Sequence, residues 1–150
     1  MPDSSGPLYF RFFNEIGIIE QLSRALFEAR LPRGMLISHF SVLNHLIRVQ
    51  DGRTPGELSR AFQVAKTTMT HTLSGLEAEG FIDLRPNEED GRSKRVWITP
   101  EGRAFRDDSV AAMAPEMADL AQAFGPERFA RILPELEALR KIMDERRSRE

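Results

Sequence analysis

The feature that most constrains this 150-residue chain is a helix start followed within a dozen residues by a second one. Thr54-Pro55-Gly56-Glu57 reads as a capping box: Thr54 accepts from the Glu57 N–H, Glu57 reaches back to the Thr54 N–H, and Pro55 stands where a missing donor does no harm. The helix it opens is short, because Leu58, Ala61 and Phe62 supply one apolar face before the pattern restarts after Gln63-Val64-Ala65. In the second helix Val64, Met69, Thr72, Leu73 and Leu76 fall on one side, while Lys66, Thr67, Thr70, His71 and Ser74 fall on the other. Helix, short turn, helix is the helix-turn-helix layout.

A hairpin comes next in the chain. Gly80 closes the second helix, Phe81–Arg85 and Arg95–Thr99 alternate as strands, and residues 86–93 between them are too polar for a core and rich in turn formers. A hairpin directly after the second helix of such a pair is a wing, and Thr99-Pro100 repeats the cap-plus-proline start of a further helix. The outer face of the second helix suits a major groove, since hydroxyls, an ammonium and an imidazole can bond to phosphates and base edges. At the wing tip the Arg92 guanidinium suits a narrow minor groove, with Asp90 orienting it or bracing the tip and Lys94 and Arg95 near the flanking phosphates. The plain alternative for both sets is a solvated polar surface.

The order helix-turn-helix, then Leu76-x-x-x-Gly80-Phe81-Ile82, then Asp90-Gly91-Arg92 and Ile98-Thr99-Pro100-Glu101-Gly102, resembles the MarR family of dimeric winged-helix transcriptional regulators. The likeness runs from Leu36 to Gly102. It implies a mainly α fold with a small β-hairpin wing, in which a winged helix-turn-helix over residues 36–102 is flanked by dimerisation helices at 8–35 and 103–148 of one domain spanning 1–150. It implies a double-stranded DNA-binding regulator, a homodimer on a pseudo-palindromic operator, and a repressor more often than an activator. It further implies a crevice for a phenolic or aromatic carboxylate effector, for which Phe10, Phe13, His39 and Phe40 are the candidates. Three positions depart from the family's habit. His71 and Gly75 stand where arginine is common in the second helix, and Gln63 occupies a turn where glycine is frequent.

The flanks agree with that outline. Leu8, Phe12, Phe13, Ile16, Ile19, Leu22, Leu26 and Ala29 recur at three- and four-residue steps, which makes a long amphipathic helix to about Arg30 after a frayed tail over residues 1–7. A helix this apolar at the end of a small protein calls for a partner, and a second copy is the economical one. Ser38 reads as the N-cap of a helix carrying Phe40, Leu43, Leu46 and Ile47 that stops near Asp51-Gly52. Beyond Gly102, Phe105, Val110, Met113, Met117, Leu120 and Phe124 predict one long helix kinked at Pro115. Gly125-Pro126 breaks the chain. A last helix, bent at Pro134, uses Phe129, Ile132, Leu136, Leu139 and Ile142 before a charged tail frays over residues 144–150.

Composition enters mainly by exclusion. The chain has no cysteine, hence no disulfide and no thiolate metal site. Its three histidines lack metal-ligand spacing with carboxylates, so neither a metal nor a cofactor is expected. No nucleophile elbow, phosphate-binding glycine loop or triad spacing suggests an enzyme. Neither a membrane-spanning run nor a signal peptide is visible, which predicts a cytoplasmic protein. The formal net charge of −2 sits awkwardly with a polyanionic partner. Position matters more than the sum, because Arg85, Arg92, Lys94, Arg95 and Arg103 gather around the wing. The acidic balance keeps open a rival reading, a winged-helix protein-interaction module without DNA binding.

Overall fold

The computed structural model describes residues 5–149, and part of the expected N-terminal tail lies outside them. The rest of that tail is already ordered: α1 spans Gly6–Glu28, with Pro7 in its first turn. A single 3-10 turn at Pro32–Gly34 leads into α2 (Ile37–Arg48), followed by α3 (Pro55–Phe62) and α4 (Lys66–Ala78). Strands β1 (Ile82–Pro86) and β2 (Lys94–Ile98) pair antiparallel, and α5 (Pro100–Ala111), α6 (Ala114–Ala123) and α7 (Pro126–Arg147) complete the order. By its contacts the chain divides into two units, one ending at Ala112 and the other beginning at Met113.

In the first unit α2, α4, α5 and the hairpin enclose the core. Leu43, Leu46, Leu58, Leu76, Ile82 and Val96 are fully buried there, with Met69, Leu73, Phe81 and Phe105 beside them. At about 1.5–3 kcal/mol for each large apolar side chain removed from water, this cluster holds the helix-turn-helix together. Phe81 and Phe105 stack at 4.6 Å, tying the end of α4 to α5.

Local signals account for most element starts. The capping box forms as expected: Glu57 N–H donates to Thr54 Oγ1 at 3.1 Å, and Glu57 Oε1 accepts from the Thr54 N–H at 3.4 Å. Partial burial would raise the Glu57 pKa, but bonds from Arg53 and Thr54 outweigh it and hold the carboxyl below its ordinary range. Thr99 caps α5 by accepting from the Gly102 N–H at 3.0 Å and also donates to the Gly80 carbonyl at 2.6 Å. Gly102 is obligatory for a steric reason, since a Cβ there would collide with the Phe81 carbonyl oxygen. The I-T-P-E-G run is therefore a structural clasp between α4, the hairpin root and α5.

Three expectations are corrected. Leu36, not Ser38, is the N-cap of α2, because the Leu36 N–H donates to His39 Nδ1 at 2.9 Å and the Ile37 N–H to Glu28 Oε1 at 2.9 Å. Pro115 does not kink a long helix. It sits in the first turn of α6, where its lack of an N–H costs nothing, so two helices replace one. The C-terminal tail stays helical through Arg147, and Pro134 lies inside α7 without ending it. A further element went unread: Arg53 bridges Val96, and Asp51 Oδ1 accepts from the Ile98 N–H at 3.0 Å, so the loop after α2 forms a rudimentary third strand.

Gln63, the C-cap of α3, adopts φ 52° and ψ 46°, a left-handed conformation that disfavours a side chain with a Cβ. Gln63→Gly should stabilise the fold by about 1 kcal/mol, read as a higher urea midpoint at unchanged slope. A lower midpoint would show that the glutamine side chain offsets its backbone strain.

Candidate nucleic-acid interface

The outer face of α4 and the hairpin converge on a half-open cleft of about 540 Å³. Lys66, Thr70 and Ser74 line it from α4; Asp90, Arg92 and Lys94 line it from the hairpin and its tip. The third wall is the start of α3, Thr54 to Gly56, with Arg60 one turn further along. Six of the nine residues expected to meet DNA thus share one cavity. Its lining carries four cations, Arg60, Lys66, Arg92 and Lys94, against the single carboxylate of Asp90, a local excess invisible in the overall charge of −2.

Helical and strand periodicity decide which residues reach the cleft. On α4, Met69, Thr72, Leu73 and Leu76 are buried, which turns Lys66, Thr67, Thr70, His71 and Ser74 outward. Thr67 and His71 are exposed on α4 outside the cleft lining. The Thr70 hydroxyl donates to the Lys66 carbonyl at 2.8 Å, so it presents acceptor lone pairs outward rather than its proton. On β2 successive side chains alternate, and Lys94 faces the cleft while Arg95 points to the opposite side. Arg95 is engaged there, donating to the Gly52 carbonyl at 2.9 Å and meeting Glu89 at 3.4 Å. Arg85, its cross-strand partner, lies 5.6 Å from the centre of the Trp97 ring.

The hairpin tip is a built loop. The Asp90 carboxylate accepts from the Arg92 backbone N–H at 3.0 Å, and the Asp90 carbonyl accepts from the Ser93 N–H at 3.1 Å. Asn87, nearly fully buried, donates to Ser93 Oγ at 2.9 Å and accepts from the Glu89 N–H at 3.1 Å. Asp90 therefore braces the backbone under Arg92, and no acceptor among the described residues holds the Arg92 guanidinium. Asn87 and Arg60 were missed in the sequence. The Asn and Asp pair at positions 87 and 90 carries a readable turn signal, whereas Arg60 belongs to the site only through tertiary proximity.

The four effector candidates are not gathered within one chain. Phe10 and Phe13 are exposed on α1, Phe13 against Phe12 at 5.5 Å, while Phe40 packs on Phe27 at 4.5 Å. His39 lies under α4 beside Gly75. Gly75 accordingly belongs to the inner packing of α4 and not to the face where arginine would meet DNA. Among the described residues no cluster of three or more His, Asp or Glu is placed to hold a metal ion.

Residues 33–93 match the model of the MarR family. Over those residues the chain is similar to the MarR family. The HTH-type transcriptional repressor YetL of Bacillus subtilis (strain 168) is 31% identical over 94 residues, 62% of this chain and 56% of that protein. The transcriptional activatory protein BadR of Rhodopseudomonas palustris is 29% identical over 98 residues, 64% of this chain and 54% of that protein. The chain spans little more than half the length of these curated relatives. Among solved structures, a mutant MarR from E. coli complexed with operator DNA superposes with a TM-score of 0.70 at 21% identity, covering 91% of this chain and 98% of that one. The fold is thus that of this solved MarR structure, mostly helical with a two-stranded hairpin.

The two neighbouring arginines of this hairpin should behave oppositely in stability. Arg95→Ala removes bonds to Gly52 and Glu89 and is expected to cost about 1 kcal/mol in urea unfolding, whereas Arg92→Ala should leave the midpoint unchanged. Equal losses would mean that Arg92 is held by the fold.

Proposed function

We propose that this chain is a sequence-specific double-stranded DNA-binding transcriptional regulator that acts as a homodimer on a pseudo-palindromic operator. The observation that carries the reading is the cationic cleft in which α4 and the hairpin tip meet. In it α4 enters a major groove with Lys66, Thr67, Thr70, His71 and Ser74 toward base edges and phosphates. Arg92 enters the adjacent minor groove, Asp90 shapes the tip, and Lys94 neutralises phosphate from the cleft side. Arg95 braces the hairpin and contributes its charge from behind.

The dimer is supported by α1 and α7, neither of which has a single buried residue although Leu8, Phe10, Ile19 and Leu22 on α1 and Phe129, Leu133, Ile142 and Met143 on α7 are large and apolar. A second copy covering those faces would bring Phe10 and Phe13 into an enclosed site, where an aromatic or phenolic effector would favour a dimer whose two α4 helices are spaced wrongly for the operator. Repression is the expected sign of regulation, in line with the repressor YetL. Because BadR is named as an activatory protein, operator position would decide the sign in a given promoter. No described helix is long and apolar enough to cross a membrane, which suits a protein that meets DNA in the cytoplasm.

Selecting duplexes from a random pool should recover a pseudo-palindrome with half-sites about 10 base pairs apart or a small multiple of that spacing. Affinity for the selected site should fall linearly with the logarithm of salt concentration, and Arg92→Ala should weaken it at least tenfold, about 1.4 kcal/mol, at unchanged dimer mass. A chain that retains no duplex even in dilute buffer is instead the protein-interaction module.

A further inference from the structure

His39 and Gly75 meet where α2 passes beneath α4. A Cβ on Gly75 would stand 2.8 Å from His39 Nε2, closer than such atoms approach, and 3.5 Å from its Cδ2. The ring cannot simply swing aside, because its other nitrogen, Nδ1, accepts from the Leu36 N–H at 2.9 Å and so completes the N-cap of α2. The residues immediately before α2 are held in turn by Glu28 of α1, which accepts from the Ile37 N–H. One imidazole therefore spans the gap between a fixed helix start and the backbone of the helix whose outer face carries Lys66, Thr70, His71 and Ser74.

We propose that His39 is a positioning residue for DNA reading: its ring, wedged under Gly75, sets how far α4 stands off α2 and hence how deeply its outer face reaches into the groove. This role rests on the proposed binding of DNA. It also explains why glycine occupies an interior helix position, where it weakens the helix relative to alanine. With a methyl at 75 the two helices would have to separate or the α2 cap would open.

The wedge works only as a neutral ring. An Nδ1 that accepts from a backbone N–H carries no proton, so in the neutral form the proton sits on Nε2. Burial, then the neighbouring His71, hold the His39 pKa below its ordinary value, with Glu79 pulling the other way. His71 and Glu79 face it from α4 and its environs, and Glu28 lies across the Leu36–Ile37 turn. The contact is therefore intact above the ordinary histidine value and is lost as pH falls below it toward the depressed folded value, because the unfolded or unseated chain takes up the proton first. A protonated Nδ1 would confront the Leu36 N–H donor to donor.

Gln at the same position, the third residue of α2, can cap the Leu36 N–H without titrating. Duplex affinity of the full chain should therefore be measured from pH 8 to pH 5.5 for His39 and His39→Gln proteins, both in a His71→Gln background that removes the other imidazole of α4. The His39 protein should lose affinity severalfold more than the His39→Gln protein across this range; parallel profiles would overturn the role of the ring. Gly75→Ala should bind about tenfold more weakly despite its better helix former. Adding His39→Ala, which removes the atom the methyl meets, should restore most of that loss, and no restoration would overturn the wedge. Backbone amide shifts of α4 in the free protein report the seat without DNA. If Gly75→Ala leaves them in place the proposal fails whatever the duplex does, and if they move while no variant binds duplex, the seat stands and the DNA-binding reading falls.

Discussion

One hydroxyl fixes the relation between the hairpin and α4. Thr99 Oγ1 accepts from the Gly102 N–H, starting α5, and donates to the Gly80 carbonyl at the end of α4. The Thr99 N–H meanwhile donates to the Phe81 carbonyl at 3.0 Å. Three elements are thereby pinned at one point, and the pin is tight because Gly102 lets the backbones approach without a Cβ between them. Each bond contributes only about 1 kcal/mol net, yet together they remove the freedom of the hairpin to hinge away from α4. Without that, Lys66 and Arg92 would not share a cavity.

The electrostatics depend on where charges are spent. Arg53 is engaged by Glu57 at 3.0 Å, Arg95 by Gly52 and Glu89, and Arg106 by Asn44 at 3.1 Å and Asp107 at 2.9 Å. Asp90, the one carboxylate in the cleft, is turned into its own loop by the Arg92 N–H. The cations left uncommitted face outward from the cleft, so a chain of formal charge −2 presents a cationic surface over a range comparable to the Debye length of about 8 Å at physiological salt. The net charge is a sum over surfaces that a bound polyanion never meets together.

Where the fold was legible, the signal was local. Thr54 with Glu57, Thr99 with Pro100, and the polar run between two alternating segments each place their determinants within a few residues, and the structure reproduces all three. Where it was not, the deciding partner was distant or of an unexpected type. Ser38 lost the N-cap position to Leu36, whose own N–H is held by the histidine three residues later. Arg53 pairs with Val96, far along the chain, and Arg60 joins the cleft only through the packing of α3 on the hairpin side. The outward set of α4 was readable from period alone, since one apolar stripe fixes the opposite face, but the inward glycine at 75 was not. A residue with no side chain announces nothing about what presses against it.

The terminal helices carry an unusual amount of exposed apolar surface. α1 runs 23 residues and α7 runs 22, and in folded proteins most of a helix's stability comes from tertiary packing of its apolar face rather than from its length. Large apolar side chains nonetheless stand out from both: Leu8, Phe10 and Leu22 on α1 and Leu133, Ile142 and Met143 on α7 are each half exposed or more. Burying one such side chain contributes about 1.5–3 kcal/mol, so a partner that covered both faces would contribute more than the stability of many whole domains. The proposed dimer answers this, because a surface of that kind, present in every copy and at both ends of the chain, would find its most available complement in another copy. In the proposed dimer the cleft would occur twice, and a second cleft at a fixed distance would turn a weak contact with one groove into recognition of a spaced pair.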